Sequence, residues 1–273
     1  MNPRMSESPD PIWVNPVKQK LQRGEPVIGI VISVNSVEVA AQAASLGFDF
    51  LWVEMEHSPI DLSTLRNMVL ATRGLPAPVF ARPAVNELWT AKRVLDAGVM
   101  GVIFPFTRTA ELARQAAAAC RYPPHGLRGS GADLASFSWP TRGNYYDSAD
   151  RNVLVVAVVE DVSAVENIEA IAATPGIDVL FIGTSDLSFS LGLRGAQDNP
   201  KLDEAVARIV AAARQHGKYL GRPARTPEQI RKHHAQGFQF FMSATDIDFL
   251  IAGALQVLQP FGKGPAGLTG GAM

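Results

Sequence analysis

Two carboxylates, Glu160 and Asp186, each follow an apolar run, VLVVAVV and VLFIGTS, and lie 186 − 160 = 26 residues apart. If both runs are strands of one parallel sheet, 26 residues is one strand–helix unit, and the two side chains stand side by side at neighbouring strand ends. Such a pair suits a hard divalent cation with open positions for water and substrate. The alternative is structural: Glu160 solvates the start of its helix and Asp186 caps the following Leu-Ser segment. His57 follows Glu54 and Glu56 in VEMEH, and an imidazole titrating near neutral pH suits proton transfer. Arg82 interrupts the apolar VFARP; its permanent charge needs a carboxylate or oxyanion partner, either a substrate or an ion pair with Glu54 or Glu56. The other histidines offer less. His216 adjoins the Gly217 helix stop, His233 and His234 point in different directions on a helix and cannot share a metal, and His125 is undecided. Cys120 reads as a small packed residue with no histidine in a readable motif beside it.

The elements that carry these residues alternate short β-branched or aromatic runs with segments of helical period. Strands are expected at 27–33, 48–55, 78–83, 100–106, 152–160, 177–183, 218–223 and 238–244, with a helix after each. Ser36 and Gly47 bracket the first of these helices, and Asn86 and Gly98 the third. Eight such units in a chain of 273 residues predict a (β/α)₈ TIM barrel over 17–260, between an N-terminal arm (1–16) and a C-terminal tail (261–273). A doubly wound open sheet is the alternative, but no G-x-G-x-x-G follows the first strand. In a TIM barrel the strand C-termini carry the active site, which is where Glu54, Glu56, His57, Arg82, Glu160 and Asp186 all fall. The stretch 121–151, rich in proline, glycine and aromatic residues, breaks the alternation and is expected to be a functional loop.

Composition narrows the classes further. With 25 Lys+Arg against 26 Asp+Glu the net charge is −1, so no bulk field attracts nucleic acid or an anionic membrane. One cysteine cannot form an internal disulfide, the N-terminus lacks the apolar core of an export signal, and no apolar run nears the roughly 18 residues that span a bilayer. A cytoplasmic protein is expected.

Five segments in one order, WVEMEHSPID (52–61), FARP (80–83), RYPPHGLRGSG (121–131), VVED (158–161) and FIGTSDLSFSLG (181–192), resemble the HpcH/HpaI family of pyruvate-dependent class II aldolases. The resemblance runs from about residue 17 to 258, and the family includes 4-hydroxy-2-oxoheptanedioate aldolase, 2-keto-3-deoxy sugar acid aldolases and macrophomate synthase. It implies that Glu160 and Asp186 bind Mg²⁺, Mn²⁺ or Co²⁺, which chelates pyruvate. It further implies that Arg82 contacts the keto oxygen and stabilises the enolate, that His57 is the base, and that Asp96 reaches His57 from a neighbouring subunit. By the same resemblance Glu56 orients metal-bound water, and the backbone of Gly183, Thr184 and Ser185 holds the pyruvate carboxylate. It also implies dimers that exchange their last helix and assemble into hexamers as trimers of dimers; TDIDFLIAGALQVLQPF, apolar around most of its circumference, accords with this or with a fully buried helix.

The expected reaction is reversible cleavage of a 4-hydroxy-2-oxo acid to pyruvate and an aldehyde. Oxaloacetate decarboxylation or a macrophomate-synthase-like reaction on the same site is the near alternative, and a catalytically silent binding or assembly barrel the distant one. A lysine Schiff base is disfavoured, because the lysines lie mainly in helices or flanks and Lys218 starts its strand at the wrong end. Three features depart from the family pattern: Val158 replaces a common glutamine, Glu54 an aspartate, and GRPART places Arg222 and Arg225 where several members have small or apolar residues. Arg222 is expected to bind a distal carboxylate, hydroxyl or phosphate of the substrate.

Overall fold

The computed structural model describes residues 14–139 and 145–264. Residues 1–13 of the expected arm, 265–273 of the expected tail and 140–144 of the irregular stretch lie outside the described residues. Eight parallel strands, β1 (Val27–Ile32), β2 (Phe50–Glu54), β3 (Val79–Arg82), β4 (Gly101–Phe104), β5 (Leu154–Val159), β6 (Val179–Ile182), β7 (Tyr219–Pro223) and β8 (Phe240–Thr245), form a closed barrel in sequence order. Val27 pairs with Phe240, so the sheet has no free edge and the open-sheet alternative falls.

Each expected helix is present, with boundaries set by local chemistry. Ser36 caps α2 (Val37–Ser45) at the Val39 N–H, and Gly47 leaves it in the left-handed region. Asp61 caps α3 (Leu62–Ala71) and Thr109 caps α5 (Ala110–Ala119). Asn86 does not cap α4 (Leu88–Asp96); its amide donates to Thr107 Oγ1 instead. The segment 161–173 breaks into α8 (Val162–Glu166) and α9 (Ile168–Ala172), followed round the ring by α10 (Thr184–Ser190), α11 (Pro200–Gln215) and α12 (Pro227–Ala235). Four helices, α10 and three more, are not anticipated by the alternation. Of these α1 (Pro16–Gln22) sends Val17 and Leu21 into the barrel's apolar interior, while α6 (Asp133–Ser138) and α7 (Tyr145–Asn152) order part of the loop at 121–151.

Strand side chains alternate between two apolar clusters. One lies between sheet and helices and contains Leu51, Val53, Ala81, Leu180 and Leu220; the other fills the barrel with Phe50, Trp52, Phe80, Val158, Phe181 and Phe240. Phe50 stacks on Phe80 and Phe240 at centroid distances of 5.1 and 4.5 Å. Glycines on neighbouring strands make room for these rings: a Cβ on Gly29 would fall 2.2 Å from Phe50, and one on Gly101 2.7 Å from Phe80.

The last helix is different. Asp246 anchors the start of α13 (Asp246–Leu258) by accepting from the backbone of Ser33 and Val34 and from the Ser33 hydroxyl. It is also the only buried residue of that helix, and Phe249, Leu250, Val257 and Leu258 are exposed. Beside its first turn Ile30, Val39, Ala43, Leu46, Phe48 and Phe249 line an open apolar cavity of about 570 Å³. No helix among the described residues is long and apolar enough to cross a membrane.

Gly29→Ala should lower the free energy of unfolding by about 1–3 kcal/mol, the usual scale of overpacking, with Phe50→Leu in the same chain recovering part of the loss. Denaturant melts of the single and double variants check this; a Gly29→Ala chain as stable as the parent would show that the interior is not tightly filled at this layer.

Candidate active site

Counting along each strand from its interior aromatic residue decides which polar side chains face the barrel axis. From Phe50 and Trp52 the next inward position is Glu54; from Phe80 it is Arg82; from Val156 and Val158 it is Glu160; from Val179 and Phe181 it is Gly183. All four are at C-terminal strand ends, so they meet at one mouth.

Glu54 and Arg82 are directly paired in the sheet register. Arg82 Nε and Nη2 both lie 2.6 Å from Glu54 Oε2, the carboxylate being nearly fully buried. The other oxygen, Oε1, accepts the backbone N–H of Glu56 at 2.7 Å and of His57 at 3.1 Å, and the Ser58 hydroxyl donates to the Glu54 carbonyl. One glutamate therefore holds both the arginine and the turn that presents Glu56 and His57. Glu56 Oε2 sits 3.2 Å from Arg82 Nε and 3.5 Å from His57 Nε2, yet it is buried without a hydrogen bond, because the single Nε–H points to Glu54. The His57 ring is largely exposed to solvent.

Glu160 is 2% exposed, directly after β5. Its Oε1 accepts the Phe106 N–H at 2.7 Å, and Phe106 holds a left-handed φ of 45°, an uncommon conformation for a non-glycine residue. Nothing in FPFTR announces this turn; strain at a strand end is visible only in the backbone. Burial pushes the Glu160 carboxyl up to about 7; the Phe106 N–H and Arg82 oppose that rise, and Glu56 and Asp186 add to it. Burial likewise raises Glu56, against the pull of Arg82 and with Glu54 and Asp186 adding to the rise.

Asp186 lies exposed in the first turn of α10, whose N-cap, Gly183, supplies no side-chain hydrogen bond. The opening N–H groups of Thr184 and Ser185 are therefore available to an anion. Gly183 also makes space, since a Cβ there would fall 2.7 Å from Glu160 Cβ and 2.8 Å from Oε2.

Two expected residues lie elsewhere. Asp96 ends α4, and a helix running back from the top of β3 finishes at the N-terminal end of the barrel, opposite the mouth. There Arg128 Nη2 donates to its Oδ1 at 2.9 Å. Any service to a mouth must then come from another copy. Arg222 does not reach the substrate side at all. In β7 Gly221 faces the interior rings of Phe181 and Phe240, so Arg222 faces outward, its guanidinium 5.2 Å over the Phe238 ring. Burial lowers its pKa and Asp203 of α11 opposes, which places it in the helical layer. Arg225 is exposed and 3.9 Å from Asp248.

The donor set fits a divalent cation. Glu56, Glu160 and Asp186 act on one another's charge beside one arginine, burial pushes Glu56 and Glu160 towards protonation, and a buried Glu56 oxygen is left without a hydrogen bond. Among the described residues no three His, Cys, Asp or Glu side chains form a complete metal-holding group, so Glu160 and Asp186 would leave the remaining positions to oxygen ligands from water or substrate.

A family model described as HpcH/HpaI aldolase/citrate lyase matches residues 28–252. The chain belongs to that family. It is 32% identical to a hydroxypyruvate/pyruvate aldolase of Paraburkholderia phytofirmans, over 90% of this chain and 97% of the relative. It is 34% identical to a 5-keto-4-deoxy-D-glucarate aldolase of Klebsiella pneumoniae, over 80% and 85%. The crystal structure of an HpcH/HpaI aldolase/citrate lyase family protein from Burkholderia cenocepacia superposes with a TM-score of 0.84 at 34% identity, covering 92% of this chain and all of that one. The HpcH/HpaI barrel is thus the scaffold on which the mouth residues stand.

Gly183→Ala should displace the Glu160 carboxylate and lower lyase turnover on the order of a hundredfold, the scale of an ångström of misplacement in a reacting site. Circular dichroism should stay that of the parent. Full activity in a folded Gly183→Ala protein would contradict the tight Gly183–Glu160 approach.

Proposed function

We propose that the protein is a divalent-metal-dependent C–C lyase that reversibly cleaves a 4-hydroxy-2-oxo acid to pyruvate and an aldehyde. The observation that carries this is the convergence of Glu160, Asp186, Arg82 and the Glu56–His57 turn at one barrel mouth, in a chain of a family of aldolases and lyases. Glu160 and Asp186 would hold Mg²⁺, Mn²⁺ or Co²⁺. When bound, the cation supplies a Lewis acid that polarises the keto group and offsets negative charge developing on its oxygen.

The chain's own residues do the rest. Arg82, with Nε and Nη2 engaged by Glu54, turns Nη1 to the keto oxygen and stabilises charge where it develops. The N–H groups of Thr184 and Ser185, following Gly183, orient the substrate carboxylate. His57 takes the proton from the C4 hydroxyl as the C3–C4 bond breaks, its electrons passing into the enol(ate) of pyruvate; in the reverse direction it returns that proton. Glu56, 3.5 Å away, orients the His57 ring and water beside it.

Asp96 acts on a neighbouring copy's site, and an exchanged α13 is the means of assembly: its exposed apolar face and the open cavity beside its root match a second chain's helix and cavity, with hexamers as trimers of dimers. The barrel, 17–260, is one catalytic domain, and its compartment is the cytoplasm.

Pyruvate release from racemic 4-hydroxy-2-oxo acids should require Mg²⁺, Mn²⁺ or Co²⁺ and stop with EDTA; trapping of the substrate by borohydride as an imine would overturn the metal mechanism. Glu160→Ala and Asp186→Ala should abolish Mn²⁺ binding by calorimetry, whereas His57→Ala keeps the metal and loses turnover. Faster release from oxaloacetate than from any hydroxy-oxo acid would favour the decarboxylase alternative. Light scattering tests the assembly: Leu250→Asp with Val257→Asp should yield a folded chain of lower mass, and a parent that is already monomeric would refute the exchange.

A further inference from the structure

We infer that Trp52 is a positioning residue for Arg82, acting through Glu54. Trp52 is 1% exposed and lies two residues before Glu54 on the inward face of β2, in the layer beneath the mouth. Its indole Nε1–H donates to Glu54 Oε2 at 3.2 Å, the oxygen that also accepts the Arg82 Nε–H and forms the ion pair with Nη2. Its ring lies 5.5 Å from the Arg82 guanidinium carbon and meets Phe181 edge-on at 5.1 Å. Phe181 in turn packs against Phe240, so the indole is clamped by the barrel interior.

Glu54 Oε1 is committed to the backbone of Glu56 and His57, which leaves Oε2 to fix Arg82. A glutamate has three rotatable side-chain bonds, and one guanidinium hydrogen bond with an ion pair on the same oxygen does not by itself define where that oxygen sits. The indole N–H supplies a second hydrogen-bond donor from a rigid, buried platform. It fixes Oε2, and the ring face beneath the guanidinium fixes its height. Arg82 Nη1, which donates no hydrogen bond among the described residues, is thereby left for a ligand at the mouth. Among the described residues Trp52 makes its hydrogen bond to Glu54 and none to Glu160 or Asp186, so its effect should be on the arginine and not on metal affinity.

The inference rests on the proposed role of Arg82 and is tested by a double-mutant cycle with Glu54. Trp52→Phe keeps a ring and loses the N–H; the loss of a hydrogen bond to a charged group should lower kcat/KM for pyruvate formation about tenfold. In a Glu54→Gln background the same change should cost little, whereas a residue that merely fills space would cost the same in both. Mn²⁺ affinity should be unchanged throughout. If Trp52→Phe misfolds, benzothienylalanine at position 52, of indole shape without the N–H, takes its place. The cycle is repeated on the affinity for oxalate, a planar dianion shaped like the enolate of pyruvate. A parent enzyme that forms no pyruvate would refute the aldolase reading and leave the oxalate cycle to decide on Trp52. Equal losses in the two backgrounds, or no loss from either substitution at Trp52, would overturn the inference.

Discussion

The arrangement of the mouth depends on one buried ion pair. Arg82 cannot lose its charge, and taking a guanidinium out of water costs several kcal/mol unless a partner and hydrogen bonds replace the solvent. Parallel register sets Glu54 opposite it, and the two side chains point inward because each lies an even number of residues from an interior aromatic residue. Once Glu54 Oε2 is taken by Arg82, the geometry of a carboxylate turns Oε1 towards the end of β2, where it gathers two backbone N–H groups. The ion pair thus shapes the turn that carries Glu56 and His57. The remaining carboxyl groups, Glu56, Glu160 and Asp186, outnumber the one arginine, and burial pushes Glu56 and Glu160 towards protonation; the proposed cation would favour their charged forms.

Beneath the mouth, position is controlled by packing. An eight-stranded barrel has just enough interior for its side chains, and this one fills much of it with aromatic rings that need glycines opposite them. Such a core tolerates little displacement, so the distance between the ends of β2, β3, β5 and β6 is set by ring thickness and not by the polar groups themselves. Gly183 extends the same logic to the top layer, where the missing side chain leaves room for the Glu160 carboxylate in place of a ring.

The fold was legible because βα units announce themselves twice, once in apolar run length and once in helix caps and stops such as Ser36, Gly47 and Gly98. Glu54, Arg82, Glu160 and Asp186 were legible as strand-end residues by the same signals. Facing was not. A parallel strand buried on both sides carries no hydrophobic alternation, so nothing in KYLGRP distinguishes Arg222 from an inward residue. Its outward direction appears only when Gly221 is seen beneath Phe181 and Phe240. The short helices α1 and α6 escaped notice because a turn or two of helix leaves too few residues for a period to show. Arg128 escaped for another reason: a buried guanidinium held by Asp96, Tyr145 and the Tyr122 ring is assembled from three separate segments, and within the glycine-rich GLRGSG nothing marks the arginine as buried.

Asp96 and α13 leave the isolated chain unfinished in two separate ways. The carboxylate is held by Arg128 at the end of the barrel away from its own mouth, with Gly131 leaving open space beside Oδ2. The helix carries apolar residues into solvent, fixed in direction by the Asp246 clamp and not by packing along its length. An exposed apolar helix is costly in water at about 25 cal/mol per Å² of surface left uncovered, whereas Asp96 already offsets the buried Arg128 charge and has one oxygen to spare. On the proposed assembly, helix exchange covers the apolar face, and the same association brings an anchored carboxylate to a mouth whose histidine is otherwise open to solvent. Burial of the helix and completion of the site would then be one event, and activity would depend on chain concentration wherever the assembly is not saturated.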